Sequence, residues 1–471
     1  MTEIVDEFRE GLVQEALGAS FVDKRLAGRL AVMVGSASER PWASFPVMMG
    51  SEAGLEACYR FMNNPRVTPE RILAPFVLGT VERCAGHGRL LVVHDTTEFS
   101  YKREQPPEGM GLLKAGGVGF LAHFSLVVSP HPRGVPMGVV GMELVNRTGE
   151  KKGKPSRAEA LADGSREFLR WTRAVEVSHK ALTGHELVHV ADREGDAYEL
   201  MDSVAACGDK FVIRVAHDRV LGRDADRKAK KLFDLLPVSE VLFEREVYIP
   251  SRSVARKAPK AKKINPERSA RHAKLLVSAL AVTIPRPEQG LKTWAASMDV
   301  NVVHVCEATP PDGQDPVEWK LVTTLPVTTA EEVAAVVDAY RQRWTIEEYF
   351  KALKTGCAFG TRQFESFHAL TNTLAMLAPV AWRLLMLRDF GRSQPDLPAA
   401  VVVTPTEIQV LRVLGRTELP AHPTLGHVMW AIAALGGHLR RNGPPGWQTL
   451  ARGLEDLGRL TAAWTAAKNH A

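Results

Sequence analysis

The chain has 471 residues, more than one core comfortably holds, and its 45% hydrophobic and 24% charged content is that of an ordinary soluble globular protein of two or three domains. A net charge of +6 and a pI of about 9.0 are a mild basic excess that suits a polyanionic partner. The five cysteines (Cys58, Cys84, Cys207, Cys306, Cys357) are scattered, odd in number and lack a C-x-x-C, so a disulfide framework and a zinc site are both unexpected, and a reducing, cytoplasmic setting is expected.

The chain opens on MTEIVDEFREG, which is acidic and polar and reads as no signal peptide. Residues 1–85 read as helical, with Phe21, Leu26, Leu30 and Val34 at helical spacing and few β-branched clusters. Lys24, Arg25 and Arg29 lie within two turns, and Arg60 follows in a second helix that ends at Asn64-Pro65, so this segment reads as a small helical module with an arginine face. The texture then changes. Leu90–His94 (LLVVH) reads as a short buried strand ending at Asp95-Thr96-Thr97, and Phe120–Val128 and Val135–Val145 read as a hairpin joined by SPHPRG. A basic run, RTGEKKGKPSR, covers Arg147 to Arg157; a solvated loop is its plain alternative to a nucleic-acid contact. A helix over Glu159–Leu182, a strand over Glu186–Ala191 ending at Asp192, a helix over Ala197–Cys207 and a strand over Phe211–Ala216 follow. Residues 217–322 read as β-rich and loop-rich, with nine Lys/Arg and one acid, Glu267, between Arg252 and Lys274. Thr329-Ala330-Glu331-Glu332 is a capping box that starts a long helix. Residues 370–471 are helical again; the apolar stretch Leu374–Leu387 falls short of a membrane span and is interrupted by Arg383, so no membrane partner is expected.

The long helix carries Tyr340, Arg343, Glu347 and Lys354. At about 100° per residue these four side chains share an arc of roughly 60°, which places a carboxylate beside two cations and a phenol. Asp95 and Asp192 each stand at the end of a buried strand, where α/β sheets gather functional groups. Three carboxylates with no His or Cys suit Mg²⁺ or Mn²⁺ rather than zinc, and two such ions serve in-line phosphoryl displacement. Each acid has a plainer alternative: Asp95 as a cap or turn residue, Asp192 as part of a charged loop, Glu347 as an i+4 partner of Lys351. Strand, hairpin, acidic strand and acidic helix in this order give the layout of an RNase H-like nucleotidyl-transfer core.

These residues also carry a family likeness. HDTTEFSY (His94–Tyr101), ADREGDAYEL (Ala191–Leu200), DKFVIR (Asp209–Arg214), AYRQRWTIEEYFKALKTG (Ala339–Gly356), CYRFMNNPRV and AIAALGGHL resemble the DDE cut-and-paste transposases of bacterial insertion sequences, the Tyr-Arg-Glu-Lys signature group that excises its element through DNA hairpins. The resemblance implies Asp95, Asp192 and Glu347 as a metal-binding catalytic triad for two Mg²⁺ ions, with Mn²⁺ able to substitute. It implies phosphate contacts from Tyr340, Arg343 and Lys354, and a flipped-base platform at Trp319, whose plain alternative is a core aromatic. Arg214 would touch DNA near the site, and Arg25, Arg29 and Arg60 would bind the terminal repeat. His94 stands where the family often has an acidic or apolar residue, and no role attaches to it.

The expected architecture is therefore α/β: a helical DNA-binding domain (1–85), an RNase H-like catalytic domain (86–369) with a β-rich insertion at about 217–322, and a helical dimerisation domain (370–471). The last carries Trp447, Leu450, Leu454, Leu457 and Trp464, read either as packing on the chain's own core or as a dimer contact. The expected function is a DNA transposase that binds terminal inverted repeats, cleaves with divalent metal, joins 3′-hydroxyl ends to target DNA, and works as a homodimer in a synaptic complex. A metal nuclease without strand transfer and a domesticated DNA-binding derivative are the alternatives.

Overall fold

The computed structural model describes residues 11–101, 106–114, 116–130, 134–148, 159–160, 163, 166–223, 226, 228–236, 240–251, 268–401 and 403–469. Most of both basic runs, at 149–157 and 252–267, lies outside the described residues. After a helical stretch over 11–17 come α1 (Lys24–Glu39), α2 (Phe45–Met49), α3 (Glu52–Met62) and α4 (Pro69–Cys84). Asp23, Ser51 and Thr68 cap α1, α3 and α4 with side-chain oxygens that accept backbone N–H bonds. Their apolar faces, including Leu30, Val34, Phe61, Ile72 and Phe76, share one continuous core with the sheet that follows.

That sheet has nine strands in the order β3-β2-β1-β4-β5-β11-β10-β9-β8. Its first half is β1 (Arg89–Tyr101), the antiparallel hairpin β2 (Val118–Val128) and β3 (Pro136–Val145), and the parallel neighbours β4 (Glu186–Ala191) and β5 (Lys210–Arg214). This is a mixed sheet of the RNase H-like kind, with α5 (Arg170–Ala181) and α6 (Tyr198–Ala206) between its later strands. A small ribbon, β6 (Val220–Arg223) and β7 (Ala229–Lys231), follows β5. Then β8 (Val241–Ile249), β9 (Arg271–Pro285), β10 (Ser297–Glu307) and β11 (Glu318–Thr323) extend the same sheet, β11 pairing antiparallel with β5. The β-rich stretch thus continues the sheet instead of forming a layer of its own.

The structure corrects the sequence reading at two places. Asp95 does not follow its strand; it lies in the middle of β1. Pairing with β2 runs on from Asp95↔Phe124 to Tyr101↔Val118, whereas parallel pairing with β4 ends at Val93↔Val190. The signature helix is also not one rod. The capping box at Thr329 starts α7 (Ala330–Arg341) as expected. Residues Gln342 and Arg343 then tighten into i→i+3 turns, with Gln342 N–H bonded to Ala339 O and Arg343 N–H to Tyr340 O, before α8 (Trp344–Lys351) and a π-helical turn over Ala352–Gly356.

α9 (Phe367–Ser393) runs through the core. By length and composition Phe367–Asp389 could cross a membrane, but 94% of its apolar window is buried inside this protein. Arg383 on it donates to Ser38 O at 2.9 Å, tying it to α1. α10 (Pro405–Leu414), α11 (Leu425–Leu435) and α12 (Trp447–Asn469) close around a separate core of Val410, Leu411, Val428, Ile432, Leu450 and Leu457. The α11–α12 crossing is close: a side-chain carbon at Gly453 would overlap the Ile432 carbonyl oxygen.

Candidate active site

The site forms where β1, β4 and the α7–α8 break meet. Asp95 is 8% exposed within β1, and its Oδ1 accepts the Thr96 N–H at 2.7 Å. Asp192 follows β4 directly and caps a 3₁₀ turn over Arg193–Gly195, its Oδ1 accepting the Glu194 N–H at 2.8 Å. So it is Asp192, which reads as part of a charged loop, that is a cap, and not Asp95, for which the sequence offers the cap reading. Glu347 stands in the first turn of α8. Its cationic neighbour is Arg343, not Lys351, which pairs with Glu348 at 2.8 Å.

Arg343 links two of the acids. Its Nη1 lies 3.3 Å from both Asp95 Oδ2 and Glu347 Oε1. Burial pushes the Asp95 carboxyl up to about 7, Asp192 adds to the rise, and Arg343 opposes it. Burial works against the charge of Arg343 as well, yet Tyr340, Asp95, Glu347 and Asp192 together hold it raised. The buried Asp95 thus lies between two partly exposed acids, with Arg343 at 3.3 Å as its nearest cation. Two aspartates and a glutamate are hard oxygen donors, and together they fit a divalent ion of the Mg²⁺ or Mn²⁺ kind.

The remaining signature residues surround the acids. Lys354, in the π turn, is lowered by burial against the opposing pull of Glu98, Glu347 and Asp95, and its Nζ sits 5.2 Å from the Phe99 ring centroid. Tyr340 is buried and meets the half-buried Trp319 edge to face at 5.2 Å. Burial raises the Tyr340 phenol, while Arg214, hydrogen-bonded to it, and Arg343 pull the other way. Arg214 also donates to Glu318 O at 2.9 Å, next to Trp319. Trp319 packs against the core as well, so its plainer reading holds in part. Asp95, Asp192, Glu347, Tyr340, Arg343, Lys354, Trp319 and Arg214 thus form one cluster. Arg25, Arg29 and Arg60 stand apart on α1 and α3, with Arg25 bonded to Asp23 and Arg60 to Glu56.

Three groups escape a reading of the sequence. Arg170, 3% exposed at the start of α5, bridges β1 and the turn after β4, which carry the two aspartates: Nε donates to Thr96 Oγ1 at 3.0 Å, Nη1 to Glu167 O at 2.9 Å, and Nη2 to Glu194. Its side-chain partners Thr96 and Glu194 lie far off along the chain, so no local pattern announces it. Trp344 is 57% exposed beside Arg343, whose guanidinium carbon is 4.8 Å from its ring centroid; its place inside the quoted motif was the available signal. Glu348 accepts from Arg388 of α9 and from Trp447 Nε1 of α12, the latter at 2.6 Å, and faces away from the acids. A cavity of about 690 Å³ between the end of α1, α9 and α12 is lined mostly by apolar groups and holds none of the three acids.

The chain matches three protein families. Residues 10–67 match the Transposase DNA-binding family, residues 159–382 the Transposase DDE domain, and residues 379–470 the Transposase Tn5 dimerisation domain. Asp192 and Glu347 fall inside the DDE match and Asp95 precedes it. DNA binding, divalent-metal-dependent cleavage and transfer, and homodimer formation follow from these three matches together. With the mixed sheet and its acidic cluster, they place the chain among the DDE transposases of the Tn5 type, DNA transposases that bind inverted repeats.

Proposed function

We propose that Asp95, Asp192 and Glu347 are the catalytic acids and hold two Mg²⁺ ions, with Mn²⁺ able to replace them. The observation that carries this is the buried Asp95 carboxyl beside Asp192, with Arg343 spanning it and Glu347 at 3.3 Å. When bound, the ions lower the charge at the scissile phosphate and favour ionised oxygen nucleophiles. The protein's own groups do the rest. Arg343 and Lys354 draw phosphate oxygens toward the acids, and Tyr340 sets the position of Arg214 and of the Trp319 indole.

The chemistry is a series of displacements at phosphorus. Water attacks the phosphodiester at the element end, its oxygen bonding to phosphorus as the 3′-oxygen leaves and takes up a proton. The freed 3′-hydroxyl then attacks the opposite strand and releases the flanking DNA, which closes the end as a hairpin. A second water reopens the hairpin, and the regenerated 3′-hydroxyl attacks target DNA. The flipped base this strained turn requires stacks on Trp319. Arg214 contacts DNA beside the site, and Arg25, Arg29 and Arg60 contact the terminal inverted repeat. Two copies of the chain pair two ends in a synaptic complex.

Glu347→Ala is the direct test. It retains binding to a terminal-repeat duplex in a gel-shift assay and loses nicking by a factor of about 10³ or more, in line with removing a residue that acts on the transition state. Nicking at the wild-type rate would overturn the metal assignment. Trp319→Ala separates the hairpin step: nicking persists, while hairpin yield falls in step with a lost stacking contribution of about 1–3 kcal/mol. Unchanged hairpin formation would remove Trp319 from that role.

A further inference from the structure

The search settles on the sheet rim opposite the acids, where three metal-ligating groups from different elements meet. His179 is in the last turn of α5, Cys207 caps the C-terminus of α6, and Asp209 immediately precedes β5. One ligand atom from each lies within 4.8 Å of the other two. We propose that His179, Cys207 and Asp209 form a zinc site.

The local backbone builds it. α6 ends in a turn with Gly208 at φ +78°, where Gly208 N–H bonds to Ala205 O and Asp209 N–H to Val204 O. This left-handed cap brings the Cys207 and Asp209 side chains to one side of the helix end. His179 reaches them from α5, its Nδ1 at 2.9 Å from Asp209 Oδ2. A tetrahedral zinc with bonds of about 2.0–2.3 Å needs ligand atoms roughly 3.3–3.8 Å apart, so the His179–Asp209 pair opens slightly to admit the ion while Cys207 stays within 4.8 Å of both. The donor set of imidazole, thiolate and carboxylate is borderline-soft, unlike the all-carboxylate acids of the active site.

Two further features support a cation here. The Asp209 carboxylate is 6% exposed and is met by two imidazoles, His179 and, at 3.2 Å, His189. A ligating carboxylate held by a buried second histidine is the outer-shell support that metal sites use. Asp209 and the exposed Glu176 set negative charge beside Cys207, with Lys180 opposing it. Among the described residues the other trio of this kind, His304, Cys306 and Glu318, already has a cation in place, because the Lys320 ammonium is bonded to Glu318. Zinc at the first trio would tie α5, α6 and β5 together. It would also fix Asp209 and so His189, whose Nδ1 lies 2.8 Å from Nε2 of His94, the residue before Asp95.

The test uses full-length protein stripped of metal by chelation and titrated with Co²⁺. A thiolate-to-cobalt charge-transfer band in the near ultraviolet is expected at one equivalent per chain, displaced by Zn²⁺. It is retained in Cys306→Ser and in Glu347→Ala, lost in Cys207→Ser, and needs about tenfold more Co²⁺ or beyond in His179→Ala. No band in the wild-type chain, or a band that survives Cys207→Ser, would overturn the site. Should Cys207→Ser fail to fold, alkylation of Cys207 in the wild-type chain decides. Zn²⁺ slows it about tenfold or more if the site exists, and equal rates with and without Zn²⁺ would exclude it.

Discussion

At the scale of single residues, the acids are positioned by groups that never meet DNA. Arg170 holds Thr96 with one nitrogen and Glu194 with another, and both partners donate their backbone N–H to an acid, Asp95 or Asp192. Arg170→Lys keeps the charge and loses the fork, so one arm is released. We expect cleavage to fall roughly 10- to 100-fold, with a higher Mg²⁺ requirement and unchanged binding to the element end. A Mg²⁺ titration of nicking alongside a gel shift checks this; a uniform loss of both would make Arg170 a folding residue only. At this scale much was legible. Asp95, Asp192 and Glu347 converge although 95 and 347 are far apart in sequence, because β1 and β4 are parallel neighbours and α8, with Glu347 in its first turn, packs against β1. Arg170 was not legible, since a buried arginine joining a strand to a distant turn carries no periodic signature.

At the scale of elements, the break between α7 and α8 shows what periodicity could not. Helical spacing gave Tyr340, Arg343, Glu347 and Lys354 one face, but tight turns at Gln342–Arg343 and the π turn at Ala352–Gly356 deliver them to that face. Helical residues spaced three and four apart look alike whether the hydrogen bonds run to i−3, i−4 or i−5. Strand ends were equally hard to read: LLVVH is apolar, while Asp-Thr-Thr looks like a turn, and only pairing with β2 carries β1 on to Tyr101. Among the later strands, Glu307 on β10 is bonded by Arg271 of β9 through two nitrogens at 2.7 and 2.8 Å and is 4% exposed. The Arg271 bond leads in holding the Glu307 carboxyl below its ordinary value. A lowered carboxyl contributes stability above its unfolded pKa of 4.5 and loses it as pH falls through the lower folded value. Arg271→Ala should therefore cost about 3 kcal/mol at pH 7 and flatten the loss of stability below pH 4.5. Urea unfolding at neutral and acidic pH measures both.

At the scale of the whole molecule, adjacent carboxylates on α8 serve different neighbours. Glu347 faces Asp95 through Arg343, while Glu348 reaches Arg388 of α9 and Trp447 of α12. The helices of the dimerisation match are thereby bonded to the residue beside a proposed catalytic acid. Trp447→Phe keeps one aromatic ring but removes the N–H together with the rest of the buried indole, leaving the bond from Arg388 to Glu348. It should cost about 1.5–3 kcal/mol, as for a hydrogen bond to a charged group, and lower the melting temperature of the full chain. A melting temperature equal to the wild type would show that Glu348 holds α8 without α12. The C-terminal pattern was only half legible: Leu450, Leu454, Leu457 and Trp464 pack on the chain's own core, and nothing in their spacing says which face meets a second copy.

The uneven pairing of β1 has a consequence for how Asp95 is held. On one flank β1 stays zipped to β2 as far as Tyr101; on the other its partner β4 stops level with Val93. The rim is therefore notched, and Asp95 lies two positions beyond the last pairing with β4 while still anchored on its far side. The gap beside Asp95 is closed by side chains instead of ladder bonds: Arg170 joins Thr96 to Glu194, and Arg343 holds the Asp95 carboxylate.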